Sequence, residues 1–63
     1  MISDEDFVGT IIQASDIYGE KYLADELLVS LPTIKRWKVG ENLPANAVRK
    51  SVTEWLTKRG LYS

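Results

Sequence analysis

The hydrophobic residues of this chain follow a helical period. They recur at three- and four-residue spacing in four segments, and no segment shows the strict alternation that is typical of a strand. In the first segment Ser3 is suited to cap a helix, with Asp6 at capping-box spacing, and Gly19 marks its latest end. The broad apolar face of this helix comprises Phe7, Val8, Ile11, Ile12 and Ala14.

A second and a third helix are predicted on either side of a tight corner at 29–30, which gives a helix-turn-helix over about 20–39. The second helix begins near Glu20. Its apolar face comprises Leu23, Ala24, Leu27 and Leu28. Ser30 is a good N-cap for a third helix, in which Pro32 falls in the first turn, where a missing N–H costs nothing.

The fourth helix is the last element that the pattern predicts. Gly40 ends the third helix, and Pro44 can open the fourth, with Asn42 or Leu43 just outside it. The predicted core stripe of this helix comprises Ala45, Val48, Val52, Trp55 and Leu56, and Gly60 ends it. The pattern therefore predicts a compact all-α domain of four helices, within a range of three to five.

The composition fits one small domain over 1–63 and removes several kinds of chemistry. The chain has no cysteine and no histidine, so we expect no disulfide, no thiolate metal site and no histidine general base. No nucleophile motif or phosphate-binding glycine loop occurs, so we expect neither an enzyme nor a cofactor or small-molecule substrate. No apolar run reaches membrane-spanning length and the N-terminus is acidic, unlike a secretory signal, so we expect no membrane and a cytoplasmic protein.

The net charge of −1 conceals a division along the chain. Residues 1–30 hold one cation against seven acids, which gives −6, whereas residues 31–63 hold seven cations against two acids, which gives +5. Acids suit helix N-termini and bases suit C-termini, but that preference does not explain Lys35, Arg36 and Lys38 together. The asymmetry suggests one face that is suited to a polyanion.

The third helix has an outer face that mixes cations with apolar groups. At 100° per residue, Thr33, Ile34 and Trp37 share the inner side. The outer side comprises Leu31, Pro32, Lys35, Arg36 and Val39, with Lys38 at its margin. A merely solvated face would carry Glu, Gln or Ser in place of the apolar residues. Contact with a DNA groove explains both kinds of residue, since cations reach phosphates or guanine and apolar groups meet thymine methyls.

The residues around the corner carry a family resemblance. They are Leu23-Ala24, Leu27, Val29-Ser30, Thr33-Ile34, Arg36-Trp37, Gly40 and Leu43-Pro44, about a third of the chain. This pattern resembles the Cro/phage-repressor (XRE-type) helix-turn-helix family, whose members are typically sequence-specific DNA-binding regulators, often dimeric. The resemblance implies that the third helix is the recognition helix. Its implied DNA-facing positions are Ser30, Leu31, Pro32, Thr33, Lys35 and Arg36.

The chain departs from this family pattern in two respects. Leu28 stands where the family usually has glycine, and a left-handed leucine costs on the order of 1–2 kcal/mol, so the corner is expected to take a different turn. The third helix also lacks the Gln and Asn that many members use to read adenine, and Pro32 stands where one of them often lies. Specificity is then expected to depend on Lys35, methyl contacts and above all Arg36, paired with a guanine.

Residues outside this face have more than one interpretation. Asn42 follows the recognition helix and has two equally weighted roles, a phosphate contact and a cap for the fourth helix. Arg49 and Lys50 lie off the core stripe of the fourth helix and are either solvated or phosphate-facing, with solvation favoured. Both tryptophans lie on apolar stripes, so the core is favoured over stacking on single-stranded nucleic acid.

Together these observations predict a sequence-specific regulator that binds double-stranded DNA, a repressor of phage or mobile-element type in a prokaryotic or infected cell. A homodimer on two half-sites is expected, through Val8 and Ile12 or through Leu61 and Tyr62. Two rivals remain open. One is a protein-interaction module that keeps the helix-turn-helix without binding DNA, and the other is a DNA-bending accessory factor similar in scale to phage excisionases.

Overall fold

Four helices make up the computed structural model, which describes residues 2–60. They are α1 (Asp4–Tyr18), α2 (Glu20–Leu27), α3 (Leu31–Lys38) and α4 (Asn46–Lys58). No strand occurs in this part of the chain, and no helix in it is long and apolar enough to cross a membrane. The prediction of a small all-α fold with four helices is confirmed.

Side-chain caps fix the starts of α1 and α3 where the sequence predicts them. The Ser3 hydroxyl accepts a hydrogen bond from the Asp6 backbone N–H at 3.1 Å, and the Ser30 hydroxyl accepts one from the Thr33 N–H at 3.3 Å. The Ser3 bond satisfies an N–H that the helix itself leaves unpaired. The Thr33 N–H is shared, since it also donates to the Ser30 carbonyl at 3.1 Å. Pro32 lies in the first turn of α3, also as predicted.

The helices α2 and α3 end in the same backbone motif, with a different residue at its left-handed position. At the end of α2 the Val29 N–H bonds to the Ala24 carbonyl at 3.0 Å, and at the end of α3 the Glu41 N–H bonds to the Arg36 carbonyl at 2.8 Å. The left-handed residue is Gly40 in α3, with φ of 81°. In α2 it is Leu28, with φ of 59° and ψ of 42°.

The expectation that the corner avoids a left-handed Leu28 is therefore wrong. The motif satisfies two carbonyls that the helix end would otherwise leave unpaired, and this gain outweighs the steric cost at one residue. The left-handed turn also directs the Leu28 side chain outward. Leu28 was predicted on the apolar face of α2, but its side chain is 91% exposed.

The core lies where α1, α2, α3 and α4 meet. Its buried apolar residues are Phe7, Ile11, Ala14, Leu23, Ala24, Ile34, Trp37, Val52 and Leu56. The ring of Phe7 meets that of Trp37 edge-on, with 5.4 Å between centroids. Trp55 is half-buried and packs against this core, so both tryptophans serve packing.

The start of α4 differs from the prediction. The helix begins at Asn46 and not at Pro44, because Ala45 takes the extended N-cap conformation without a side-chain bond. Asn42 does not cap it, since it lies farther from the helix start in a left-handed conformation with φ of 50°. With this start Ala45 and Val48 are exposed, so their predicted place in the core is also wrong.

The prediction that Arg49 is solvated is wrong. Its side chain joins three parts of the molecule. Its Nε donates to the Pro44 carbonyl and its Nη1 to the Ile2 carbonyl, each at 2.9 Å. Nη1 also lies 2.7 Å from the Asp4 carboxylate. These acceptors draw the side chain across α1, where it is 15% exposed, whereas the neighbouring Lys50 is exposed, as predicted.

Three ion pairs within the described residues connect the acidic and the basic halves of the chain. They are Lys38–Glu20, Arg49–Asp4 and Arg59–Glu26. The Arg59 guanidinium also stacks on the Trp55 ring at 3.8 Å, and Trp55 meets Tyr18 edge-on at 5.8 Å. Part of the charge asymmetry seen in the sequence is therefore neutralised inside the molecule.

Candidate nucleic-acid interface

The candidate interface is the outer face of α3, which we call the α3 surface: Ser30, Leu31, Pro32, Thr33, Lys35, Arg36 and Val39. Five of these residues lie on the outer side of the helix, while Ser30 and Thr33 adjoin it at the start of α3, and all except the half-buried Thr33 are exposed. The hydroxyls of Ser30 and Thr33 lie 2.7 Å apart and hydrogen-bond to each other. Because this bond and the Ser30 cap fix the first turn, the N-terminal end of α3 has a defined shape.

Two cations of the α3 surface have no acidic partner among residues 2–60. Lys35 and Arg36 are both exposed, and neither belongs to an ion pair in the described part of the chain. Lys38 differs, since its Nζ lies 3.4 Å from the Glu20 carboxylate at the start of α2 and the side chain is partly covered. Within the described residues, Lys35 and Arg36 are therefore unpaired, whereas the charge of Lys38 is neutralised by Glu20.

The exposed apolar residues lie at both ends of α3. Leu31 and Pro32 occupy its first turn, whereas Val39, which is 69% exposed, caps its C-terminus. Eight residues separate Leu31 from Val39, which corresponds to about 12 Å along a helix at the standard rise per residue. The two ends of α3 therefore cannot contact the same base pair. Only the first turn is close enough to the corner between α2 and α3 to share a contact with it.

The inner face of α3 holds this surface in place. Ile34 and Trp37 are buried as predicted, and Trp37 packs on Phe7 of α1. The indole Nε1 of Trp37 donates to the backbone carbonyl of Asn42 at 3.2 Å. This bond fixes the loop after α3, so the exposed Asn42 side chain is presented next to the helix from a constrained backbone.

Leu28 belongs to this surface region, although the sequence pattern predicts it in the core. Its apolar character and spacing match those of Leu23 and Leu27, so periodicity assigns it to the core. The structure instead exposes it at the corner, three residues before Leu31. A left-handed residue at the end of α2 was the available signal, but the steric cost of that conformation for leucine led to the expectation of a different turn.

A second exposed feature lies between α1 and the loop after α3. It is a shallow depression of about 470 Å³, and its apolar lining comes from Val8, Gly9, Ile12, Val39 and Leu43. Gly9 lies in the middle of α1, and a Cβ added there would meet no atom within 4 Å. The packing of the chain therefore does not require a glycine at this position.

Comparison with protein-family models, curated proteins and solved structures found no match for this chain. The chemistry of the α3 surface is therefore the basis for a functional proposal.

Proposed function

We propose that this protein is a sequence-specific regulator of transcription that binds double-stranded DNA and is similar to the phage repressors. In this proposal α3 enters the major groove and acts as the recognition helix. The observation that carries the proposal is the α3 surface itself, where Lys35 and Arg36 are exposed and unpaired beside exposed apolar side chains. Phosphates and guanine edges attract the cations, and thymine methyls accept the apolar groups.

Each polar residue of the interface has a proposed role. Arg36 pairs with a guanine through two hydrogen bonds, which contributes about 1–3 kcal/mol of discrimination. Lys35, and the side chain of Asn42 in the loop, contact phosphates and fix the register. Ser30 and Thr33 shape the first turn of α3 and face the backbone of the duplex. Lys38 keeps Glu20 neutralised, which lowers the repulsion between α2 and a phosphate.

We further propose that the protein binds as a homodimer, because one short helix covers only a few base pairs. The depression at Val8 and Ile12 is the predicted dimer contact that lies within the described residues. The other predicted contact, Leu61 and Tyr62, lies outside the described residues. Two copies related by a two-fold axis would read two inverted half-sites.

Selection from a random duplex library at moderate salt tests the proposal. We expect the enriched duplexes to share an inverted repeat with half-sites about one helical turn apart. The double variant Lys35→Glu with Arg36→Glu should lose this binding. If no duplex is enriched over several rounds with the folded wild-type protein, DNA binding is excluded.

A matched control separates the α3 surface from overall charge. Lys50 and Lys58 are exposed lysines of α4 that belong to no ion pair in the described structure. The variant Lys50→Glu with Lys58→Glu changes the net charge by the same amount and should retain the selected sequence. Equal loss in both double variants would mean that bulk charge, and not the α3 surface, governs binding.

One observation favours a second candidate, a protein-interaction module. The walls of the depression are mainly apolar, although Asp4, Glu5 and Lys38 also line it, and they include a glycine that the fold does not need, as expected where another chain approaches closely. The glutamate variants of the α3 surface distinguish the two candidates. A module would keep its protein partner in these variants and would select no duplex even as wild type.

A further inference from the structure

Leu28 combines two unfavourable features in one residue. It adopts a left-handed conformation, with φ of 59°, which an L-residue with a Cβ tolerates poorly. Its side chain is also 91% exposed, the highest value among the exposed large apolar residues of the described chain. Neither feature contributes to the packing of the core.

The fold itself does not need a leucine at this position. The bonds that end α2 come from the backbone N–H groups of Leu28 and Val29, and a glycine would make the same bonds. The end of α3 demonstrates this, since Gly40 holds the equivalent left-handed position in the same motif. The leucine at the end of α2 therefore points to a contact outside the molecule, because strained residues persist where function requires them.

The position of Leu28 indicates what it contacts. Three residues of chain lead from Leu28 to Leu31, so the two Cα atoms lie within about 11 Å. Pro32 follows them, and all three residues are exposed at the entry to α3; we call these residues the apolar tip: Leu28, Leu31 and Pro32. The major groove is about 12 Å wide, so the apolar tip fits within one groove.

The surroundings favour DNA as the partner of the apolar tip. Lys35 and Arg36 follow the tip on the same exposed side of α3 and have no acidic partner in the described structure. Of the acids just before it, Glu26 accepts hydrogen bonds from Tyr22 at 2.9 Å and from Arg59 at 3.4 Å. Its carboxylate is thereby held towards α4, although Asp25 stays exposed.

We propose that the apolar tip contacts the C5-methyl groups of thymines in the major groove, and that Leu28 is a specificity-determining residue. This inference rests on the proposed function, since it concerns the same surface. The thymine methyl is the apolar group that the major groove presents, and it distinguishes thymine from the other bases. The corner between α2 and α3 thereby becomes part of the reading surface, together with the helix that follows it.

The test removes the methyl group from the DNA and the side chain from the protein. The probes are a duplex enriched from the random library and the same duplex with uracil in place of every thymine. We expect the wild-type protein to bind the thymine duplex more tightly, by about fourfold for each buried methyl contact. Leu28→Gly should reduce this thymine-to-uracil ratio and leave the affinity for the uracil duplex nearly unchanged.

Three further variants isolate the role of the side chain. Leu28→Asn tolerates the left-handed conformation but is polar, so it should also lose discrimination. Leu28→Met keeps an apolar side chain and should retain most of it. Ile17→Ala shortens an aliphatic side chain that is 55% exposed on α1, away from the tip, and should leave the ratio unchanged. Leu28→Gly and Leu28→Asn should also melt at a higher temperature than the wild type.

The outcomes separate this inference from the proposed function. If the wild type binds both duplexes equally, or if Leu28→Gly keeps the full ratio, the inference is overturned while DNA binding stands. If Leu28→Gly changes only the oligomeric state in sedimentation, Leu28 serves a protein contact and the inference is again overturned. A lower melting temperature for Leu28→Gly would contradict the strain on which it depends. If the library yields no duplex, both proposals fall together.

Discussion

Arg49 connects the segment before α1, the loop before α4 and α4 itself. Its guanidinium bonds to the Ile2 and Pro44 carbonyls and pairs with Asp4. We expect Arg49→Met, which keeps the aliphatic stem, to lower the free energy of unfolding by about 2 kcal/mol, because it removes charge-assisted bonds to partly buried acceptors. Urea denaturation followed by circular dichroism measures this change.

The matched variant for this prediction is Asp4→Asn. Asp4 is 73% exposed, so its ion pair with Arg49 is screened by water and should contribute less than about 1 kcal/mol. The backbone bonds of Arg49 remain in this variant. If Arg49→Met were as stable as the wild type, the carbonyl bonds would carry no net stabilisation.

The sequence could not predict the role of Arg49, and the reason is physical. Its partners are backbone carbonyls and one carboxylate, and the carbonyl of Ile2 lies 47 positions away in the sequence. A carbonyl leaves no trace in the residue pattern, so an arginine off the apolar stripe looks solvated. Leu28 differs from Arg49 in the opposite direction. Its apolar side chain predicts burial, but its left-handed backbone directs that side chain to solvent.

At the scale of elements, α3 depends on Ser30 for its first turn. Ser30→Ala removes the cap on the Thr33 N–H and the hydroxyl pair, and should lower the free energy of unfolding by about 1 kcal/mol. Thermal unfolding measures the loss, and Ser30→Asn is the control that should retain most of the stability. An unchanged melting temperature for Ser30→Ala would indicate that the backbone bonds alone hold this turn.

Ser30→Asp should separate the stability of α3 from its binding to DNA. A carboxylate caps the helix and interacts favourably with its N-terminus, so the protein should remain at least as stable as the wild type. The same carboxylate faces the phosphates in the proposed complex, so affinity for the selected duplex should fall. Unchanged affinity, measured by fluorescence anisotropy, would place the N-terminus of α3 away from the DNA backbone.

Helix boundaries were predictable wherever a side chain marks them. Ser3 and Ser30 cap the starts of α1 and α3, and Gly19 and Gly40 follow the ends of α1 and α3. In each case the residue type at the boundary predicts the boundary. The start of α4 has no such signal, because Ala45 caps it without a side-chain bond, and the prediction was two residues early. The exposure of the α3 surface followed from periodicity, whereas the pairing of Lys38 with Glu20 depends on tertiary contact.

At the scale of the whole molecule, the three ion pairs include three of the seven cations in the basic part of the chain, residues 31–63. Each pair joins a base beyond residue 30 to an acid before it. Four cations of that part remain outside these pairs, namely Lys35, Arg36, Lys50 and Lys58. These four cations are divided equally between two helices, with Lys35 and Arg36 on α3 and Lys50 and Lys58 on α4.

This charge distribution predicts the salt dependence of binding. The logarithm of the affinity should fall linearly with the logarithm of the salt concentration, and Lys35→Ala should reduce the slope by about 1 for each protomer bound. On a duplex with an inverted repeat the reduction should be about 2, and on a single half-site about 1. Equal reductions on both duplexes would contradict the proposed dimer.

The two tryptophans occupy unlike surroundings, and this has a practical use. Trp37 is 4% exposed behind the α3 surface, with its indole N–H bonded to Asn42, whereas Trp55 is half-buried under the guanidinium of Arg59. The emission of Trp37 should be blue-shifted and protected from iodide, while Trp55 should be quenched first. A Trp55→Phe variant then leaves one intrinsic fluorophore directly behind α3, and an encounter with a ligand on that side can be followed without any attached dye.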